Sequence, residues 1–208
     1  MKFILMVEGF TERDAAAEFI RRWLNPRLSR RVGIKVERFN GCDQFWTKAP
    51  KHAQMHLDGN GQADIVAVIG LLDLYGPAFY PPDKDTAEER ILWGTAEMER
   101  RVKREKFRMF FAVHEFEAWI LSSPHLLPFR FSNAELHRIQ HPEKVNFNDP
   151  PSYLLDRCYL KNEKSSYRKT VHGVQLFRKL DPNDAYNKCP KFGEMLDEML
   201  ALARRCGL

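Results

Sequence analysis

The sequence predicts an α/β protein in which a parallel sheet of about four strands is flanked by helices, with a helical appendage at the C-terminal end. Two apolar runs, residues 3–7 and 65–72, have the length and composition of strands that are buried on both faces. Stretches with helical spacing separate the strand candidates, and this alternation is typical of strands joined by right-handed crossovers. After residue 122, prolines divide the chain into short helical pieces and no convincing strand follows.

The predicted elements alternate along the first part of the chain. They are a strand at residues 3–7, a helix at 13–24, an edge strand at 32–39, a weaker helix at 43–57, a strand at 65–72, a helix at 86–105 and a strand at 106–113. Thr11 is a good N-cap for the first helix, and Thr86 and Glu89 form a capping box at the start of the third. Pro50 is expected to break or shorten the second helix, because proline lacks the N–H group that a helix interior requires.

The remaining segments complete the predicted organisation. Residues 77–85 contain three prolines and are expected to form an exposed loop beside the strand ends. Residues 192–205 have the apolar stripe of an amphipathic helix. We predict an α/β domain over residues 1–122 and a helical appendage over residues 123–208 that packs on it.

Composition limits the class of protein. The 208 residues are 44% hydrophobic and 29% charged, which fits an ordinary globular protein with a sizeable core. The net charge of +5 allows a polyanionic partner without demanding one. The four cysteines form no Cys-x-x-Cys pair, and the apolar runs are too short for a signal-peptide core or a membrane span. These features indicate a cytoplasmic protein with free thiols and no membrane partner.

Acidic residues stand where the predicted strands end. Glu8 follows the first strand, Asp73 follows the third, and Glu115 and Glu117 come just after the fourth. Because open α/β sheets place their ligand sites at the carboxyl ends of the strands, we expect these acids in one cleft. Converging carboxylates repel one another unless a cation compensates, and Mg²⁺ or Mn²⁺ is the natural cation for an oxygen-only site. The alternative is that each acid is a solvated strand end or a helix cap.

Five motifs in this order resemble a known family. They are Val-Glu-Gly-x-Thr-Glu at residues 7–12, Leu-Asp-x-Tyr-Gly at 72–76, His-Glu-Phe-Glu-Ala-Trp at 114–119, Tyr-Arg-Lys-Thr-Val-His-Gly at 167–173 and Cys-Pro-Lys-Phe at 189–192. Together they resemble a family of uncharacterised TOPRIM-like bacterial proteins that are often encoded beside AAA-type ATPases in phage-defence loci. The order of the acids also resembles, more distantly, the TOPRIM domains of overcoming-lysogenization-defect (OLD) nucleases, although Tyr75 stands where TOPRIM domains have a second Asp.

The resemblance implies roles for the acids. Glu8, Asp73 and Glu115 or Glu117 would bind the metal ions. Glu12 would be an outer ligand or a water-orienting base, and it would equally suit the N-terminal turn of a helix, where a negative charge is favourable. Strand geometry would put Glu115 and Glu117 on one face, whereas helix geometry would separate them by about 200°, and the spacing leaves this open.

The resemblance also implies roles for basic and aromatic residues. Lys169 would stabilise charge on a phosphate, with His172 and Tyr167 beside it, as OLD-type nucleases likewise place a basic residue near their metals. A solvated surface is the alternative for all three. His114 would bind metal, carry a proton or make a hydrogen bond behind the ligands, and we favour the hydrogen bond.

The function predicted in this way is that of a Mg²⁺- or Mn²⁺-dependent phosphodiester hydrolase, a nuclease that cuts DNA or RNA in phage defence. Its expected partners are nucleic acid and an AAA-type ATPase. The alternative is a non-catalytic TOPRIM-like subunit that docks on an ATPase or on nucleic acid. A nucleotide-binding regulator is a third interpretation, which the absence of a Gly-x-x-x-x-Gly-Lys-Ser/Thr loop disfavours. The sequence leaves open whether the chain forms homo-oligomers.

Overall fold

A four-stranded sheet forms the centre of the computed structural model, which describes residues 1–9, 15–127, 139–144 and 149–208. The strands are β1 (Lys2–Val7), β2 (Gly33–Arg38), β3 (Ile65–Asp73) and β4 (Phe107–Ala112), and they lie in the order β2-β1-β3-β4. Every neighbouring pair is parallel. The predicted α/β fold with a parallel sheet is therefore confirmed.

Helices cover both faces of this sheet. They are α1 (Ala17–Leu24), α2 (Cys42–Asp58), α3 (Ala87–Val102), α4 (Glu117–Leu121), α5 (Pro151–Glu163), α6 (Val174–Lys179), α7 (Pro182–Lys188) and α8 (Pro190–Arg205). A π-helical turn, Lys169–Gly173, precedes α6. Among the described residues no strand follows β4, as predicted, and no described helix is long and apolar enough to cross a bilayer.

The alternating side chains of β1 divide the apolar interior into two cores. Phe3, Leu5 and Val7 face α1 and the C-terminal helices, whereas Ile4 and Met6 face α2 and α3. Every residue of β3 is buried, which is typical of a central strand in a parallel sheet. The sheet is thus the middle layer of three.

The C-terminal helices complete the core on the α1 face. The rings of Phe19 in α1 and Phe192 in α8 stack with their centroids 5.5 Å apart, and the ring of Trp119 in α4 lies 4.1 Å from that of Phe192. Met195 and Met199, from the stripe predicted for α8, are fully buried in the same core. The domain boundary predicted at residue 122 stays a prediction.

Helix α2 runs unbroken through Pro50, so the expected break is wrong. A proline in a helix interior costs about 3 kcal/mol through its missing N–H and the clash of its ring. Here Pro50 is itself buried, and Phe45, Ala49 and Ala53 pack the same helix into the core on the β3 face. Burial of this apolar face offsets the local cost.

Two other expectations need adjustment. Helix α3 ends at Val102 rather than at residue 105, because Lys103 adopts the left-handed conformation, with a φ of +53°, that commonly terminates helices. The loop predicted to be exposed at residues 77–85 is only partly so, since Phe79 and Tyr80 pack against the core between the sheet and α3. The expected N-cap Thr11 lies outside the described residues.

The capping box predicted at α3 is present and gives a test of how this helix is anchored. Thr86 Oγ1 accepts the N–H of Glu89 at 3.2 Å, and Glu89 Oε2 accepts the N–H of Thr86 at 2.9 Å. We expect Thr86→Ala to lower the free energy of unfolding by about 1 kcal/mol in urea denaturation, with an unchanged m-value. Thr86→Ser keeps the acceptor and serves as the matched control, so an equal loss in both variants would contradict the capping role.

Candidate functional site

The sheet has a topological switch point between β1 and β3. The chain passes from β1 to β2 on one side, and β3 then pairs with β1 on the other. At such a point the loops diverge and leave a crevice at the carboxyl ends of the strands, where open α/β sheets bind ligands. Glu8 directly follows β1 and Asp73 is the last residue of β3, and because Val7 pairs with Leu71 the two acids lie on adjacent strands at this crevice.

The surroundings of Glu8 and Asp73 connect them. Asp73 is 6% exposed, and its Oδ1 accepts the N–H of Phe116 at 3.0 Å. The pKa of Tyr80 is strongly raised, mainly by burial; Arg90 opposes this rise, and the charges of Glu8 and Asp73 add to it. Glu8 and Asp73 therefore share a neighbour as well as an edge of the sheet.

The backbone turns sharply after β4 at His114. This residue has a φ of +62°, and its carbonyl oxygen accepts the N–H of Tyr75 at 2.8 Å. A non-glycine residue in this region costs about 1–3 kcal/mol, and such strain is concentrated at functional sites. Burial lowers the pKa of His114, although the charge of Glu115 acts in the opposite direction, so its imidazole is neutral at neutral pH. The role predicted for His114 behind the metal ligands stays a prediction.

An ion-pair group, which we call the lysine cluster, consists of Glu115, Glu117 and Lys169. The Nζ atom of Lys169 lies 3.1 Å from Oε2 of Glu117 and 3.2 Å from Oε1 of Glu115. Glu117 is 1% exposed and also accepts the hydroxyl of Tyr167 at 3.3 Å, while Glu115 is 7% exposed and accepts the N–H of Ser152 at 3.0 Å. Both glutamates thus converge on one ammonium group at the junction between β4 and α4.

Lys169 supplies the positive charge that these carboxylates need. Burial alone would lower the pKa of Lys169, but the charges of Glu117, Asp73 and Glu115 outweigh burial and raise it. Its side chain as a whole is nevertheless 43% exposed. Lys169 stands on the π-helical turn, a rare geometry that is frequent at functional sites. The charge of Asp73 thus acts on Lys169 together with those of the two glutamates.

The ring contacts of Tyr167 and His172 hold the turn that carries Lys169. The ring of His172 stacks on that of Tyr159 in α5, with centroids 4.6 Å apart and an interplanar angle of 15°. Tyr167 lies 5.5 Å from the same tyrosine ring, and Nδ1 of His172 accepts the N–H of Arg168 at 3.0 Å. Phosphate binding by Tyr167 and His172 stays a prediction.

The acids at the switch point are the candidate metal ligands. Within the described ranges, no group of three His, Cys, Asp or Glu side chains is placed to hold a metal ion, and Glu12 lies outside those ranges. Mg²⁺ usually keeps several waters and takes only one or two carboxylates together with substrate phosphates, so Glu8 and Asp73 fit its donor preference. One carboxylate oxygen of each glutamate in the lysine cluster already binds the ammonium group of Lys169. Metal binding by these acids stays a prediction.

Several residues beside the site were missed by sequence reasoning. Ser152 binds Glu115 through its backbone, and the exposed Tyr153 next to it is hydrogen-bonded to Tyr75. The Pro150-Pro151 pair signals a helix start, and helix N-termini attract carboxylates, but no pattern in the sequence indicates which acid meets this one.

The lysine cluster makes a pH-dependent prediction. Lys169→Met leaves two adjacent carboxylates without their shared cation, and their mutual repulsion raises their pKa values. When the pKa of a carboxyl group is higher in the folded than in the unfolded protein, stability falls as the pH rises between those two values. We therefore expect this variant to lose about 1–2 kcal/mol of unfolding free energy at pH 8, and less at pH 5, after allowance for the partial exposure of Lys169.

Thermal unfolding at both pH values measures this difference. In the wild type Lys169 is charged at both, because its pKa is raised and each pH lies below the ordinary pKa of lysine. Lys161→Met, at an exposed position of α5, is the matched control and should show no such trend. Equal destabilisation of Lys169→Met at pH 5 and pH 8 would contradict the charge-balancing role.

The sequence and the fold were compared with those of known proteins. The model of the family described as Domain of unknown function (DUF4276) matches residues 7–200. Two solved structures of the C-terminal region of the Xanthomonas campestris pv. campestris OLD protein, phased with iodine and with platinum, are each 16% identical to this chain. The alignment with the first structure has a TM-score of 0.44 and covers 98% of this chain and 94% of the OLD chain. The alignment with the second has a TM-score of 0.42 and covers 99% of this chain and 97% of the OLD chain. A comparison with curated proteins found no match. Because the family model spans nearly the whole sequence, this chain belongs to the DUF4276 family.

Proposed function

We propose that this protein is a Mg²⁺- or Mn²⁺-dependent phosphodiester hydrolase with a TOPRIM-like core that cuts DNA or RNA. The observation that carries the proposal is the position of Glu8 and Asp73 on adjacent parallel strands at the topological switch point. This edge is where open α/β sheets bind their ligands. The net charge of +5 suits a polyanionic substrate.

Each group has a distinct part in the proposed chemistry. Glu8 and Asp73 would hold the ion, with Glu12 as an outer ligand or a water-orienting base, and a divalent ion held there would activate water and stabilise the leaving oxygen. Lys169 would offer its ammonium group to a phosphate oxygen. Glu115 and Glu117 would position Lys169, because both already bind its Nζ atom. In this role the two glutamates would act on the substrate through Lys169 and would not bind the metal ion.

The setting proposed for this activity is phage defence together with an AAA-type ATPase. It rests on the resemblance of the five ordered motifs to proteins encoded beside such ATPases. Nucleic acid would be the substrate and the ATPase the partner.

A second candidate function is that of a non-catalytic subunit that docks on an ATPase or on nucleic acid. Two observations favour it. Tyr75 stands where TOPRIM domains have a second Asp, and the glutamates after β4 already share the ammonium group of a lysine. In such a subunit Lys169 would balance the charge of these glutamates in place of a metal ion.

Substitution of the two switch-point acids separates the two functions. Glu8→Gln and Asp73→Asn should each lower Mn²⁺-dependent cleavage of single- or double-stranded substrate by at least about 100-fold, since even residues behind metal ligands are worth about 10–100-fold. Stability should change by less than about 1 kcal/mol, because relief of repulsion offsets the lost charge and the amide oxygen introduced by Asp73→Asn can still accept the N–H of Phe116. Cleavage and thermal unfolding are measured on the same preparations.

The control is Asp64→Asn, which changes an exposed acid at the opposite end of β3 and should leave cleavage unchanged. The assay includes any ATPase that is encoded beside this chain, so that a requirement for the partner does not hide activity. Equal cleavage by the wild type and both switch-point variants would assign the activity to the partner and leave this chain as the docking subunit. No cleavage by the wild-type complex would also reject the hydrolase.

A further inference from the structure

Four aromatic side chains, which we call the aromatic wall, lie together on the face of the sheet that α2 and α3 cover. They are Trp46 in α2, Phe79 and Tyr80 in the β3–α3 loop, and Trp93 in α3. The rings of Trp46 and Phe79 stack with centroids 4.0 Å apart and an interplanar angle of 12°, and Trp46 also stacks with Trp93 at 5.4 Å. Tyr80 meets Trp93 edge-on at 6.0 Å. The wall is therefore a continuous set of rings.

The wall remains partly open to solvent. All four side chains are intermediate in exposure, whereas Phe45, one position before Trp46, is 0% exposed. Partly exposed aromatic groups that gather at one place commonly mark a binding surface.

The wall borders the switch-point crevice. Phe79 and Tyr80 stand on the loop that leaves Asp73, and the N–H of Gly41, just before α2, donates to the carbonyl oxygen of Glu8 at 3.3 Å. The charges of Glu8 and Asp73 also contribute to the raised pKa of Tyr80, after burial and Arg90. A ligand on the wall would thus lie beside the two acids.

Positive charge accompanies the rings. The guanidinium of Arg90 lies 5.1 Å from the centre of the Tyr80 ring, and that of Arg101 lies 5.5 Å from the centre of the Trp46 ring. The Tyr80 hydroxyl is buried and has no hydrogen-bond partner among the described residues. A buried hydroxyl without a partner is costly, and a phosphate or sugar oxygen could accept its proton.

Partly exposed rings beside arginines suit single-stranded nucleic acid, whose bases stack on aromatic faces and whose phosphates attract cations. In a duplex the bases already stack on one another and are not available to such a surface. Resting on the proposed function, we infer that the aromatic wall binds unstacked bases of single-stranded DNA or RNA and makes single-stranded nucleic acid the substrate class of the neighbouring acids.

Binding without cleavage tests this inference. The full chain carrying Asp73→Asn is titrated at low salt with a labelled oligo(dT) of about 16 nucleotides, or with a hairpin duplex of equal length, and fluorescence anisotropy is recorded. Phe79→Leu and Trp93→Leu keep an apolar side chain but remove the ring. Each should weaken binding of the single strand by about tenfold and leave the affinity for the duplex within about twofold.

Two matched variants control for folding and for loss of any aromatic group. Trp93→Phe restores a ring and should bind like the parent. Tyr186→Leu removes a partly exposed ring on α7, which packs on Trp23 away from the crevice, and should also bind like the parent. Unaltered single-strand binding by the leucine variants, an equal loss for both nucleic acids, or no binding by the parent would overturn the inference.

The outcome is separate from that of the proposed hydrolase. Ring-dependent binding of the single strand together with cleavage that does not need Glu8 or Asp73 would reject the hydrolase and retain the binding surface. Cleavage of the single strand that needs Glu8 and Asp73 but is unchanged in the Phe79→Leu and Trp93→Leu variants would support the hydrolase and contradict nucleic-acid binding by the aromatic wall.

Discussion

The parallel pairing of β1 with both β2 and β3 is the constraint on which the other features depend. Residues Lys2–Val7 pair with β2 along their whole length and with β3 on the other edge. This central position sends alternate side chains into two cores and requires α1 and α2 on opposite faces. Since a shift of one residue would exchange the two faces, the apolar pattern fixes the register. The same pairing places Glu8 beside the end of β3.

Charge balance is the second constraint. The carboxylates of Glu115 and Glu117 are almost completely buried, and their stability in the charged form needs a cation or several hydrogen bonds. Lys169 provides the cation from the C-terminal half, and thereby ties that half to the end of β4. In our proposal a divalent ion compensates the negative charge of Glu8 and Asp73, as Lys169 compensates that of Glu115 and Glu117. The internal cation and the proposed metal then leave a crevice that is less negative than its acids alone would make it.

The elements that could be predicted from the sequence are those set by local pattern. Apolar runs identify the buried strands, and the residues that follow them identify the acids at the sheet edge. Contacts between distant segments could not be predicted: Lys169 binds Glu115 across 54 residues, through a packing of helices that no local signal specifies. Pro50 was misjudged because tertiary burial overrides helix propensity. The left-handed turn at His114 was missed because a histidine in a sequence does not predict a positive φ, whereas a glycine can.

The proposed ion site, the lysine cluster and the aromatic wall all belong to one edge of the sheet. The ion site is at the switch point, the ammonium group of Lys169 lies on one side of it, and the stacked rings lie on the other. Whether a divalent ion binds at Glu8 and Asp73 is the claim on which this description depends most. The most direct measurement is an anomalous-difference map from a crystal soaked in Mn²⁺. Our proposal predicts a peak within ligand distance of both carboxylates while Lys169 still binds Glu115 and Glu117. A map from a fully soaked crystal with no peak at these two acids would contradict it.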